Sequence, residues 1–336
     1  ALASQPTISR FENMPGTREL ARVAVAMAKR VISELPSGTR RVILDVDPTV
    51  DPCHGQQELE FFNGHYGCHC YLPMHIHITG DDGRQRIIAS LLRPGNAGPT
   101  KGLKSALRIA IRLVREHLPW ARIILRADSA FGVCSVLDFC EDMGIDYIFG
   151  MKANNTLHRL SSPVQMDACL KYKWDGNGCR EYGSVLYRAG SWRHARRVVV
   201  KAEITQGELN PRFVVTSLES LSDEEAYLFY CARGEQENRI KEMKLDLSSG
   251  RTSCHSFLAN QFRLLLHTAA CMLMTVLQES LAGTRFAHAQ VGTLRTRLLK
   301  VGARVVETAR KIWFHLPCSF PAQDVWKRMY AALVPD

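Results

Sequence analysis

This chain has no apolar run long enough to cross a bilayer. Its most apolar stretch, 264–277, is interrupted by His267 and falls short of the about 20 residues that a spanning helix needs. It reads as a buried helix, and no membrane partner is expected. No signal peptide precedes the first helical pattern, so a cytoplasmic location is expected. The first residue is Ala, which reads as a fragment or a processed product. A CxxC pair is also missing. The 11 cysteines are too dispersed for a disulfide scaffold, which leaves free thiols. Cys53, His54, Cys68, His69, Cys70, His75 and His77 do crowd one region. On a strand, however, Cys68 and Cys70 share one parity and His75 and His77 the other, and the spacing fits no common zinc module. Internal repeats and low-complexity segments are absent too, which sets solenoids and disordered tails aside.

Acidic charge is the scarcer kind. Against 33 Asp plus Glu stand 43 Lys plus Arg, a net charge of +10 with a pI near 9.1. That balance favours a polyanionic partner. With 46% hydrophobic and 23% charged residues the composition is that of a soluble globular protein. The 336 residues suffice for about two domains, or one core with an insertion.

Residues 1–40 form an N-terminal helical segment, with apolar residues at helical spacing over 17–34 and a stop at Pro36, Ser37 and Gly38. A strand over 41–47 ends at Asp45, Val46, Asp47 and Pro48. Two more strands, 71–79 and 86–92, meet at the turn sequence Gly80-Asp81-Asp82-Gly83. A helix at 101–117, a strand at 122–126 ending near Asp128, a helix at 132–143 and a strand at 145–150 follow. Three antiparallel strands and then helix-linked parallel strands is the order of a ribonuclease-H-like sheet. The fold class expected is therefore α/β, a ribonuclease-H-like mixed sheet with a β-rich insertion and a helical C-terminal part. Residues 41–153 supply the first part of the core and 154–220 the insertion. Residues 221–250 supply a carboxylate-bearing helix, entered through the capping sequence Ser222 to Glu225, and 251–336 the helical remainder. Within these, turns are expected at 175–178 and 190–191, and helices at 255–281, 290–310 and 322–333.

Three acids stand out. Asp47 and Asp128 each close a short aliphatic run and precede turn or helix-start residues. The third comes from the stretch 230–244. Tyr230, Arg233, Glu237 and Lys244 fall within roughly 60° of one another on a continuous helix, and Lys241 shares their face. Glu235 and Glu242 point away, so spacing selects Glu237. Acids at the ends of neighbouring strands and one on a helix can converge on a divalent metal pair. Asp45, two residues before Asp47, has the same strand parity and stays open as an alternative first acid. Arg193, Arg196, Arg197 and Lys201 could track flanking DNA, and Trp174 and Trp192 are read as core before stacking platforms.

In these segments the chain resembles the DDE transposases of bacterial insertion sequences, and is most like the group numbered thirteen-eighty. The helix is similar to that group's Tyr-x2-Arg-x3-Glu-x6-Lys signature at Tyr230, Arg233, Glu237 and Lys244. The first-acid strand matches over 44–49 and the second over 125–131. His54-Gly55-Gln56-Gln57-Glu58, Phe61-Phe62-Asn63-Gly64 and Arg93-Pro94-Gly95-Asn96 also resemble family segments. The resemblance implies DNA cleavage and strand transfer with Asp47, Asp128 and Glu237 as ligands of two Mg²⁺ or Mn²⁺ ions. It implies DNA contacts from Tyr230, Arg233, Lys241 and Lys244, transposon ends and target DNA as partners, a homodimer on DNA, and a nucleoid-associated location. It also implies a further segment before residue 1.

Overall fold

The computed structural model describes residues 3–175 and 178–333. Helices α1 (Gln5–Asn13) and α2 (Thr17–Ser33) lead into β1 (Arg41–Pro48). A small sheet of β2 (Asp51–Pro52), β3 (Phe61–Asn63) and β4 (Cys68–Tyr71) comes next, followed by β5 (Met74–Thr79) and β6 (Gln85–Leu91). The chain continues through α3 (Leu103–His117), β7 (Arg122–Ala127), α4 (Cys134–Asp142) and β8 (Asp146–Met151). Then come α5 (Asn155–Leu160), α6 (Ser162–Asp175), β9 (Cys179–Tyr187), β10 (Arg196–Thr205) and β11 (Glu208–Thr216). Helices α7 (Asp223–Cys231), α8 (Gly234–Leu245) and α9 (Phe257–Ser280) precede α10 (Val291–Leu294), which runs into a π-helical turn, Arg295–Leu299. The hairpin β12 (Arg304–Glu307) and β13 (Ile312–His315) and then α11 (Gln323–Leu333) complete the described chain.

The main sheet has the order β6-β5-β1-β7-β8-β11-β10-β9. β1, β7 and β8 are parallel, β5 pairs antiparallel with β1, and β6 pairs antiparallel with β5. A tight turn at Gly80–Gly83, with Gly83 at φ +69°, allows the hairpin, while α3 and α4 provide the longer crossovers that parallel strands need. This is the ribonuclease-H-like order. β1 is central and covered on both faces, which is why Val42 to Val46 are buried in succession. α3 buries Leu103, Leu107, Ala110, Ile111 and Val114, the one-sided spacing of a helix lying on a sheet.

Segment 154–220 opens with two helices, and its three strands prolong the main sheet. β11 pairs with β8 from Phe213 to Thr216, so Val198, Val200, Phe213 and Val215 enter the common core. The turn expected at 175–178 falls partly outside the described residues. The helix expected over 290–310 stops at Leu299. Gly302 and the β-branched pair Val305 and Val306 disfavour its continuation, and the chain forms the β12–β13 hairpin. No described helix is long and apolar enough to cross a membrane.

Candidate active site

Parallel pairing places Val46 opposite Ala127, so Asp47, the penultimate residue of β1, and Asp128, the residue after β7, follow that pair at the carboxyl edge of the sheet. One oxygen of Asp128 accepts the Ala130 amide at 2.8 Å, which fixes the turn after β7. The backbone beyond Asp47 is pinned as well, because the Thr49 amide donates to the Pro73 carbonyl at 2.8 Å.

The stretch expected as one helix is two. α7 ends at Cys231 and α8 starts at Gly234, with the Arg233 amide donating to the Tyr230 carbonyl and the Gln236 amide to that of Arg233. These are tight turn bonds, and glycine at 234 gives the helix little reason to run through. Tyr230 thus sits on one helix and Glu237, Lys241 and Lys244 on the next. The side chains still reach one region. Arg233 donates to Glu237 at 2.7 Å and, across 186 residues of sequence, to Asp47 at 3.2 Å, joining the acid of β1 to the acid of α8. The Tyr230 hydroxyl packs on Gly150, where an added Cβ would lie 2.5 Å from it and 3.1 Å from the amide nitrogen of Ser129, the residue after Asp128. Lys244 donates to the Val50 carbonyl at 2.7 Å and to the Thr49 hydroxyl at 3.3 Å, holding the exit of β1. Lys241 is exposed.

Charge in this cluster is poorly compensated. Burial raises the Asp47 carboxyl to about 7; Arg233 opposes the rise, and Asp128, Glu237 and Asp45 add to it. Three hard oxygen donors that repel one another suit a divalent cation of the Mg²⁺ type. As the side chains stand, no three His, Cys, Asp or Glu among the described residues converge closely enough to hold a metal. Arg233 supplies the positive charge between Asp47 and Glu237 instead.

Asp45, the alternative first acid, is engaged away from this cluster. It has no solvent exposure; Arg126 donates to its two oxygens at 2.6 and 2.9 Å, and Gln85 donates at 2.9 Å. Arg126 is itself held by the Phe229 carbonyl at 2.6 Å, with its guanidinium over the Phe229 ring. Asp45 is therefore part of a buried ion pair beneath Asp47. Its one sequence signal was Arg126, a cation inside an aliphatic strand. Gln236 had no such signal. Fully buried, its amide donates to the Asp45 carbonyl at 3.0 Å and lies 3.1 Å from His77 Nδ1, tying α8 to the sheet.

The cations read as tracking flanking DNA already have partners. Arg196 pairs with Asp138 and Glu141, Arg193 with Asp138 and Asp142, Arg197 with Asp223, and Lys201 with Glu203. Trp192 is core, stacked under Arg196, whereas Trp174 is 92% exposed and is not core.

The sheet order, with acids at its carboxyl edge, defines the class as ribonuclease-H-like. The chain belongs to the DDE transposases, for the family described as transposase DDE domain group 1 matches it over residues 1–335. No curated protein matches it in sequence. Solved structures similar to it include the Mos1 mariner paired end complex with Mn (12% identity, TM-score 0.22, covering 48% of this chain and 51% of that one). The pre-cleavage Mos1 transpososome is another (10% identity, TM-score 0.21, covering 50% of this chain and 57% of that one). The chain spans a little over half the length of each.

Proposed function

We propose that this protein is an active transposase of the thirteen-eighty group that cleaves insertion-sequence ends and joins them to target DNA. The observation that carries the proposal is the Arg233 bridge between Asp47 and Glu237, next to the strand end of Asp128. Asp47, Asp128 and Glu237 would hold two Mg²⁺ or Mn²⁺ ions. When bound, these would activate water or a 3′-hydroxyl and stabilise the leaving 3′-oxygen. Arg233, released from the carboxylates, has the fork geometry to bind a phosphate through two hydrogen bonds. Tyr230 is held at its distance by Gly150, and Lys244 keeps the Asp47 loop in place. Lys241 contributes a screened phosphate contact from the surface. The partners are transposon ends and target DNA, with a second copy of the chain when two ends are paired.

The test is Mg²⁺-dependent cleavage of the element-end duplex, taken from the DNA flanking the gene, by wild type and by Glu237→Gln at matched DNA binding. Cleavage lost only in the variant supports the reading. Equal cleavage removes Glu237 from the chemistry. Binding without cleavage by either protein points to an inactive, transposase-derived DNA-binding protein.

A further inference from the structure

Three segments that resemble the family carry no acid of the site: residues 54–58, 61–64 and 93–96. They interlock. The backbone of Gly95 lies so close to β3 and β4 that an added Cβ would be 2.3 Å from the Cys70 carbonyl oxygen and 2.4 Å from that of Phe61. The Gly95 carbonyl accepts the Asn63 side-chain amide at 2.8 Å. Arg93, buried, donates to the carbonyls of Leu72, Gly98 and Pro99 and so fixes the loop that carries Gly95. On the other side the Glu58 carboxylate accepts the Phe257 amide at the start of α9, and the Glu58 amide donates to the His255 carbonyl. The small sheet is thus fastened on two sides. β2 begins four residues after Asp47 and pairs with β4, so the chain that leaves the first acid runs directly into this small sheet.

The tip of this sheet is a rigid turn. The Asn63 carboxamide oxygen accepts the amides of His65 (3.0 Å) and Tyr66 (3.4 Å), and the Gly67 amide closes onto the Asn63 carbonyl at 2.8 Å. Gly67 is at φ +65°, a conformation that favours glycine. What the turn presents is aromatic: Tyr66 is 41% exposed and packs edge-on against His65, with ring centroids 4.8 Å apart. Tyr66 also feels the site. Its phenol is pushed upward by burial and then by Asp47, Cys70 and Asp128 in that order, with Arg93 opposing.

We propose that Tyr66 is a substrate-contacting residue, its ring stacking on a nucleobase of the strand whose phosphate lies at Asp47 and Asp128. Stacking fits better than a phosphate hydrogen bond. The ring is presented on a fixed turn, and the cation acting on the phenol, Arg93, is buried and already bound to three carbonyls. The inference rests on the transposase reading above and deepens it by naming a base contact.

The experiment uses the full chain, Mg²⁺ and the element-end duplex, intact or with a single abasic site at each nucleotide flanking the cut. Tyr66→Ala should lose about 5- to 150-fold in kcat/KM, the range found when a stacked aromatic is removed. Tyr66→Phe should restore it. At one abasic position wild type and Tyr66→Ala should become equal, because the base is gone. Asn63→Ala, which loosens the turn, should lose activity in the same direction while its melting temperature reports whether it is folded. If Tyr66→Phe is as impaired as Tyr66→Ala, the contact is a hydrogen bond and stacking is overturned. An equal loss at every abasic position also overturns it. Absence of Mg²⁺-dependent cleavage by wild type would overturn the transposase reading and this inference with it, whereas cleavage unaffected by Tyr66→Ala would overturn this inference alone.

Discussion

Replacing Asp47 with Asn removes a carboxylate from a place that disfavours its charge, so the metal-free protein should become more stable. The Asp47 side chain is 15% exposed and neighbours Asp128, Glu237 and Asp45, with Arg233 in partial compensation. Its carboxyl lies at about 7 against an ordinary 3.8. A rise of about three units at ~1.4 kcal/mol each gives an upper bound of ~4 kcal/mol. Water entry and relaxation of Arg233 lower the expected gain to ~1–3 kcal/mol. The sign follows from proton binding. Between pH 4 and 7 the folded Asp47 holds a proton that the unfolded chain has lost, so wild-type stability contributed here is full below pH 4 and declines as pH rises through 7. Asn has no such loss. Urea unfolding in EDTA should therefore give equal stabilities for the two proteins near pH 4 and a difference that grows to a plateau above pH 7. Adding Mg²⁺ at pH 8 should stabilise wild type with concentration and the variant much less, because only binding to the folded state adds stability. A variant destabilised at pH 8 in EDTA, or a difference that is flat with pH, would refute the reasoning.

Other consequences can be checked together. Arg126→Leu leaves Asp45 buried with Gln85 as its remaining side-chain donor and should cost on the order of 3–5 kcal/mol in urea unfolding. Adding Asp45→Leu should recover most of that, and a single variant within about 1 kcal/mol of wild type would contradict the buried pair. Gly150→Ala should displace Tyr230 at a cost of ~1–3 kcal/mol. Tyr230→Phe, which removes the 2.5 Å contact, should restore part of it, and additive melting shifts would show that the two residues do not touch. Lys241→Ala should leave the melting temperature unchanged and reduce the salt slope of DNA binding by about one phosphate contact, whereas an unchanged slope would remove Lys241 from the DNA surface.

Sequence alone determined what depends on neighbours a few residues apart. The aliphatic runs before Asp47 and Asp128, the Gly80–Gly83 hairpin and the one-sided apolar spacing of α3 all follow from short-range periodicity and turn chemistry. Together they made the ribonuclease-H-like order legible, and the order of the acids along the chain came with it. The failure at 302–310 was also local, where a helical pattern was read through residues that interrupt it, and Gly234 is the visible breaker between α7 and α8. Tertiary structure decided which charge meets which. Asp45 and Asp47 share a strand face and cannot be told apart by parity, but the β1–β7 register gives Asp45 the buried Arg126 and leaves Asp47 facing Arg233. Arg196 and Arg197 read as free cations until folding set Glu141 and Asp223 beside them. Tyr66 carries no mark of its place near the acids, because that place depends on Gly95, Arg93 and Glu58 holding a small sheet from outside it. Such pairings join residues tens to nearly two hundred positions apart, and no local preference of the chain encodes them.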